Sequence, residues 1–304
     1  MPTTVWLTVR ARGQDRNQLP DRVKIEQGTM KDLAQPRILL LVHGFANPEQ
    51  KAHESYEKFA AGLTAVSESF PDAWGAVCEF HWPGDDKRGP LASKGTYSFR
   101  IAPAHTSAIR LVEFLHEEPD LKPDLGLYIV AHSLGCRVAL EVLREIRERK
   151  KEKRYNGQVV REVALMAAAV PVGDCLPPEG EFKRDEIPDE HVPRKETRHE
   201  HVLYSRRDRV LHYTFWIGQV IAGEHGHAVG RDGLPDGRWD TRTSTGLEHG
   251  EYWEKHAVAE RVSAIVLGTG PVELPVHHLP TVEFDIADPP WFRRVAERLV
   301  SWRG

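Results

Sequence analysis

The sequence predicts an α/β fold, a mainly parallel sheet with helices on both faces. Two observations carry that expectation. Arg37 to Val42 (RILLLV) is a continuous apolar run, the pattern of a strand buried on both faces. Ala139, Val142, Leu143 and Ile146 recur at i, i+3, i+4 and i+7, which lays one apolar stripe along a helix. Strand-like and helix-like stretches then alternate along the chain, and that alternation implies βαβ units.

Taken in order, Val5 to Arg10 reads as a strand, and a shorter strand is expected at Val23 to Glu26. After RILLLV, a helical stretch from about Glu54 to Ser67 places Tyr56, Phe59, Ala60 and Leu63 on one face. Gly75 to Phe80 (GAVCEF) is the next strand, and HWPGDD ends it in a Pro/Gly turn. Ala104 to Leu115 returns to helical spacing. Leu125 to Val130 (LGLYIV) is strand again, and a helix runs from Leu134 towards Lys150. Val163 to Ala169 and His201 to Tyr204 supply two more strands. Pro177 to Glu200 carries four Pro among many charges and cannot build a core, so it reads as a surface insertion. Gly223 to Gly250, rich in Gly, Asp, Arg and Thr, reads as linker. The expected organisation is a single domain over residues 1–304, with that insertion at about 177–200 and an extended C-terminal segment at about 268–304.

Composition excludes several classes of function. The chain has 304 residues, 40% of them hydrophobic and 28% charged, as in an ordinary soluble globular protein. A net charge of -4 argues against nucleic acid as a partner, because neutralising phosphates needs a clustered cationic excess. The one basic cluster, Arg147 to Arg154 (RERKKEKR), sits where a helix ends and reads as cations facing the helix dipole and water. No signal peptide is visible in MPTTVWLTVRARG, and runs such as VALMAAAV are far shorter than a membrane span. Cys78, Cys136 and Cys175 have no disulfide or metal spacing. A cytoplasmic protein with no cofactor and no stable membrane insertion is expected, and its oligomeric state is left open.

The chemistry concentrates in Leu127 to Leu140 (LYIVAHSLGCRVAL), where a strand stops at a Ser and a helix starts. A tight strand–turn–helix exposes a Ser Oγ and sets it in the positive potential of a helix start. The turn requires small residues two before and two after the Ser. Gly135 satisfies this, and Ala131 adds one methyl group that a slightly wider turn accepts. Ser133 is therefore the candidate nucleophile.

From Arg37 to about Trp253 the sequence resembles the α/β-hydrolase superfamily, on AHSLG and on LLLVHGF at Leu39 to Phe45. The resemblance implies a three-layer fold and a triad in the chain order Ser, acid, His. It implies Asp208, in HVLYSRRDRVL, as the acid and His249, in TSTGLEHGEYWEKHAV, as the base. The backbone N–H groups of Phe45 and Leu134 would form the oxyanion hole. The late His-Gly-Glu-Tyr resembles the H-x-x-Y of little-characterised bacterial members.

Rival assignments stand beside these. Asp174 could supply the acid, and His256, seven residues after His249, could supply the base if it did not lie within a helix. His43 is expected to brace the oxyanion loop without moving a proton, and Trp82-Pro83-Gly84 to pack at a strand end. His199/His201 and His225/His227 form H-x-H pairs, but no third ligand stands at a helpful spacing. Arg206 and Arg207 are expected to be solvated. The implied function is a serine hydrolase, carboxylesterase- or lipase-like, acting on a small-molecule acyl substrate. A catalytically idle interaction module, or an acyltransferase with the same triad, is the alternative.

Overall fold

The computed structural model describes residues 2–10, 19–67, 70, 74–84, 101–122, 125–155, 158–171, 199–215, 228–233 and 241–268. Most of the charged insertion, Asp174, Cys175, His225, His227 and the segment from 269 onward lie outside the described residues. The elements are β1 (Thr3–Thr8), β2 (Lys24–Gln27), α1 (Met30–Leu33), β3 (Arg37–Val42), α2 (Glu49–Val66), β4 (Ala76–His81) and α3 (Ile101–Glu117). Then follow β5 (Gly126–His132), α4 (Gly135–Lys151), β6 (Val159–Met166), β7 (His199–Tyr204), a π-helical segment (Val210–Phe215), α5 (Val229–Asp232), β8 (Thr241–Ser244) and α6 (His256–Leu267).

The strands form one eight-stranded sheet in the order β2-β1-β4-β3-β5-β6-β7-β8. Every neighbouring pair is parallel except β1 with β2. Leu39 and Leu41 on one face of β3, and Ile38, Leu40 and Val42 on the other, are all buried. Alternate residues of a strand point to opposite faces, so RILLLV needs cover on both sides.

The connections supply that cover. From β3 the chain moves to β4 on one side, then crosses back to β5 on the other side of β3. Right-handed crossovers that run in opposite directions along a sheet place their helices on opposite faces. Thus α2 lies on one face, where α6 packs beside it, and α3 and α4 pack together on the other. The reversal falls at β3 and β5, and the carboxyl ends of the strands at such a reversal are the general location of ligand sites in these sheets.

Two expectations need correction. The stretch expected to be linker contains α5 and β8, and β8 pairs with β7 from His201↔Thr241 to Tyr204↔Ser244. Its sequence, TRTS, is short and polar because it pairs with a described strand on one side alone, so no apolar run announces it. His256 is not deep in a helix; it is the first residue of α6 and is exposed.

Candidate active site

Ser133 follows the last residue of β5 and sits at φ 54°. A non-glycine residue in this left-handed region carries strain of about 1–3 kcal/mol, held in place by its surroundings. The clamps are visible: the Ser133 N–H donates to the Met166 carbonyl (2.9 Å), and the Ser133 carbonyl accepts from Ala169 N–H (3.1 Å). The two small positions of the turn are not equivalent. A Cβ on Gly135 would lie 2.3 Å from the His43 carbonyl oxygen and 2.6 Å from that of Val42, so α4 starts directly against the backbone that ends β3. Ala131, in register with Val42 and Leu165, is simply buried in the sheet. Sterics therefore demand glycine after the serine and tolerate alanine before it.

The structure brings Ser133, His249 and Asp208 together. His249 lies in the loop between β8 and α6, with Nε2 2.8 Å from Ser133 Oγ and Nδ1 2.7 Å from Asp208 Oδ2. A carboxylate accepts only, so Nδ1 carries the proton, and Nε2 presents its lone pair to the Ser133 hydroxyl. Asp208 is fully buried, and its Oδ1 accepts the Leu211 N–H (2.9 Å) at the start of the π-helical segment. The carboxylate is thus held at both oxygens. The backbone before it is set by Ser205, whose Oγ accepts from Arg207 N–H (3.2 Å) and whose own N–H donates to the Gly230 carbonyl (2.8 Å). Gly230 can come this close because α5 sits on the Ala167–Ala168 backbone, where a Cβ would lie 2.0 Å from the Ala168 nitrogen.

Ser133 is 5% exposed, less than an attacking hydroxyl at an open turn would be. Two neighbours enclose it: the His249 ring on one side and Gly44 on the other, where a Cβ would meet that of Ser133 at 2.7 Å. The loop after β3 therefore lies against Ser133. Its geometry is set from behind. His43 is fully buried, donates from Nδ1 to the Gly44 carbonyl (2.8 Å), and accepts at Nε2 from the Arg10 guanidinium (3.3 Å). Arg10 also donates to the Asn47 carbonyl (2.9 Å), so it spans the loop. Burial, and then the charge of Arg10, hold the His43 pKa well below its usual value. His43 is a neutral brace.

In a trans peptide the C=O and N–H point in opposite directions. With the Gly44 carbonyl turned to His43, the Phe45 N–H points away from it. Neither the Phe45 nor the Leu134 N–H has an acceptor among the described residues.

Trp82 packs as expected; it is fully buried, stacks on His43 and donates from Nε1 to the His43 carbonyl (2.8 Å). Arg206 and Arg207 are exposed. Among the described residues, no group of three His, Cys, Asp or Glu side chains is placed to hold a metal ion, and His201 instead contacts Glu162 (2.9 Å). His132, inside the AHSLG motif itself, is a site residue that sequence reasoning misses. Its partner is the backbone of His249, 117 positions away, and nothing local marks that contact.

A Ser on the turn after β5, joined by a His and an Asp that follow later strands of an eight-stranded, mostly parallel sheet, fits the α/β-hydrolase class of fold. The chain belongs to a family of alpha/beta hydrolases of unknown function (DUF900), matched by residues 22–223. Among solved structures, one from Agrobacterium vitis S4 is 15% identical over 88% of this chain and 99% of that one, with a TM-score of 0.46. A lipase-esterase related protein from Clostridium acetobutylicum ATCC 824 is 11% identical over 78% and 96%, with a TM-score of 0.37. Paleococcus ferrophilus monoacylglycerol lipase is 15% identical over 75% and 94%, with a TM-score of 0.35. No curated protein sequence matches the chain. Among the described residues, no helix is long and apolar enough to cross a membrane.

Proposed function

We propose that this hydrolase cleaves a carboxylic ester through an acyl-enzyme on Ser133. The observation that carries the reading is the continuous contact from Asp208 Oδ2 to His249 Nδ1 (2.7 Å) and from His249 Nε2 to Ser133 Oγ (2.8 Å). His249 takes the hydroxyl proton as Oγ attacks the acyl carbon. Buried Asp208 keeps the imidazole in the required tautomer and stabilises the imidazolium that forms. The oxyanion is received by the Phe45 and Leu134 N–H groups, each worth about 3–4 kcal/mol of transition-state stabilisation in comparable sites. His249 then returns its proton to the departing alcohol. Water, deprotonated by the same His249, attacks the acyl-Ser133 ester, and the carboxylic acid leaves as the Ser133 hydroxyl is restored.

The substrate is a water-soluble ester. An enzyme of oil interfaces presents an apolar lid, whereas Pro177 to Glu200 is charged along its length. A panel of p-nitrophenyl esters from acetate to octanoate, run beside a long-chain triglyceride emulsion, tests this. Faster turnover of the soluble short esters is expected. Preference for the emulsion would overturn the substrate assignment, and inertness towards every ester would overturn the activity.

A further inference from the structure

His132 is buried at the end of β5 and takes no part in the proton transfers above. Its Nε2 lies 2.8 Å from the backbone carbonyl oxygen of His249. A carbonyl only accepts, so the His132 proton is on Nε2. Its Nδ1 is buried without a hydrogen-bond partner among the described residues. That nitrogen faces the oxyanion loop, 3.2 Å from where a Cβ on Gly44 would stand. The ring centroid is 5.0 Å from that of His249, 5.8 Å from Tyr252 and 5.9 Å from Trp253. One side chain thus touches the His249 loop and the Gly44 turn while its own backbone leads directly into the nucleophile.

The His249 loop needs such an anchor. Thr245 fastens one end, its N–H donating to the Tyr204 carbonyl (2.8 Å) and its Oγ1 meeting the Tyr252 hydroxyl (3.0 Å). Trp253 fastens the other by edge-on packing against Tyr56 and Phe59. Between them, His132 holds the carbonyl of the residue that must keep two side-chain contacts at once.

We propose that His132 is a positioning residue, whose Nε2–H fixes the main chain of His249 so that its imidazole stays between Asp208 and Ser133. This rests on the ester-hydrolase reading above. Burial, and then the proximity of His249, push the His132 pKa down to about 3. The anchor therefore stays neutral while the general base gains and loses its proton.

The test compares the whole protein with His132→Gln, which keeps a donor near the Nε2 position, and with His132→Phe, which keeps the bulk and loses the donor. With p-nitrophenyl butyrate, His132→Phe is expected to lower kcat by about 10- to 100-fold with little change in KM, since a misplaced base affects the chemical step. His132→Gln should recover most of the loss. Hydrogen–deuterium exchange over 245–254 should rise in His132→Phe and fall back in His132→Gln. Wild-type kcat and unchanged loop exchange in His132→Phe would overturn the proposal while leaving the hydrolase intact. A KM effect alone, or equal loss in both variants, would also overturn it. A wild type inert to p-nitrophenyl butyrate would remove the ester-hydrolase reading, and this proposal with it. If His132→Phe does not fold, His132→Leu takes its place: an impaired His132→Leu beside a near-normal His132→Gln supports the anchor, and equal kcat in the two overturns it.

Discussion

Among the described residues, two histidine–carboxylate clusters sit at the carboxyl ends of the strands, and one of them reaches a serine hydroxyl. At β5 and β7, His249 joins buried Asp208 to Ser133. At β4, buried Glu79 Oε2 contacts both His53 Nδ1 (2.9 Å) and His81 Nε2 (3.2 Å), and the far nitrogen of His53 faces Glu57 (3.3 Å). The distances are alike, but the second cluster ends on a carboxylate at the surface, and its rings are packed around Trp6 and Tyr56. A histidine held by a carboxylate is not in itself a catalytic site. What sets the Ser133 cluster apart is a strained turn, near the point where the topology reverses, that holds a hydroxyl against the second ring nitrogen.

Removing the charge from each carboxylate in turn separates the two clusters. Asp208→Asn should lower kcat for p-nitrophenyl butyrate by roughly 10^3 to 10^4-fold, because an amide favours the wrong His249 tautomer. Glu79→Gln should leave kcat within about threefold while lowering stability by about 2 kcal/mol in denaturant melts. Equal kinetic losses in both would mean that the β4 cluster also serves the reaction.

Acid should expose the two neutral histidines near the site. His132 and His43 have folded pKa values below the usual 6.5, so between pH 6.5 and the folded values the unfolded chain binds more protons. Stability is then fully present above about pH 6.5 and falls as pH drops towards 3, and His132→Gln should flatten part of that slope in unfolding titrations. An identical slope in the variant would contradict the buried, neutral state of His132.

A smaller effect on stability isolates the strain at Ser133. Ser133→Gly removes both the hydroxyl and the side chain from φ 54°, so it should abolish turnover yet raise stability by about 1 kcal/mol. Ala131→Gly should be smallest of all: activity within a few-fold of wild type, and about 1 kcal/mol of stability lost from the strand. Gly135→Ala, on the other side of the turn, meets the His43 carbonyl and should not be tolerated. Similar outcomes at the two positions would contradict the one-sided crowding of the turn.

The legible parts of the molecule are those whose signal is local. RILLLV and LGLYIV declare central strands because burial on both faces leaves a nearly unbroken apolar run in each. AHSLG declares its turn because small residues are needed within two positions of Ser133. Asp208 and His249 are legible through the resemblance to the α/β-hydrolase superfamily, which implies an acid and then a His late in the chain, and the structure sets His249 at hydrogen-bond distance from both Asp208 and Ser133. Other features depend on partners far along the chain. Arg10 reaches His43 across 33 positions and His132 reaches His249 across 117, with no periodicity to announce either. TRTS reads as linker because a short polar strand looks like a loop until β7 is beside it.

The most direct measurement is to treat the protein with a fluorophosphonate, digest it, and locate the adduct by mass spectrometry. A single phosphonylated peptide containing Ser133, lost in Ser133→Ala and formed far more slowly in Asp208→Asn, is the expected result. Folded protein that takes no label, or takes it on another residue, would contradict nucleophilic catalysis at Ser133.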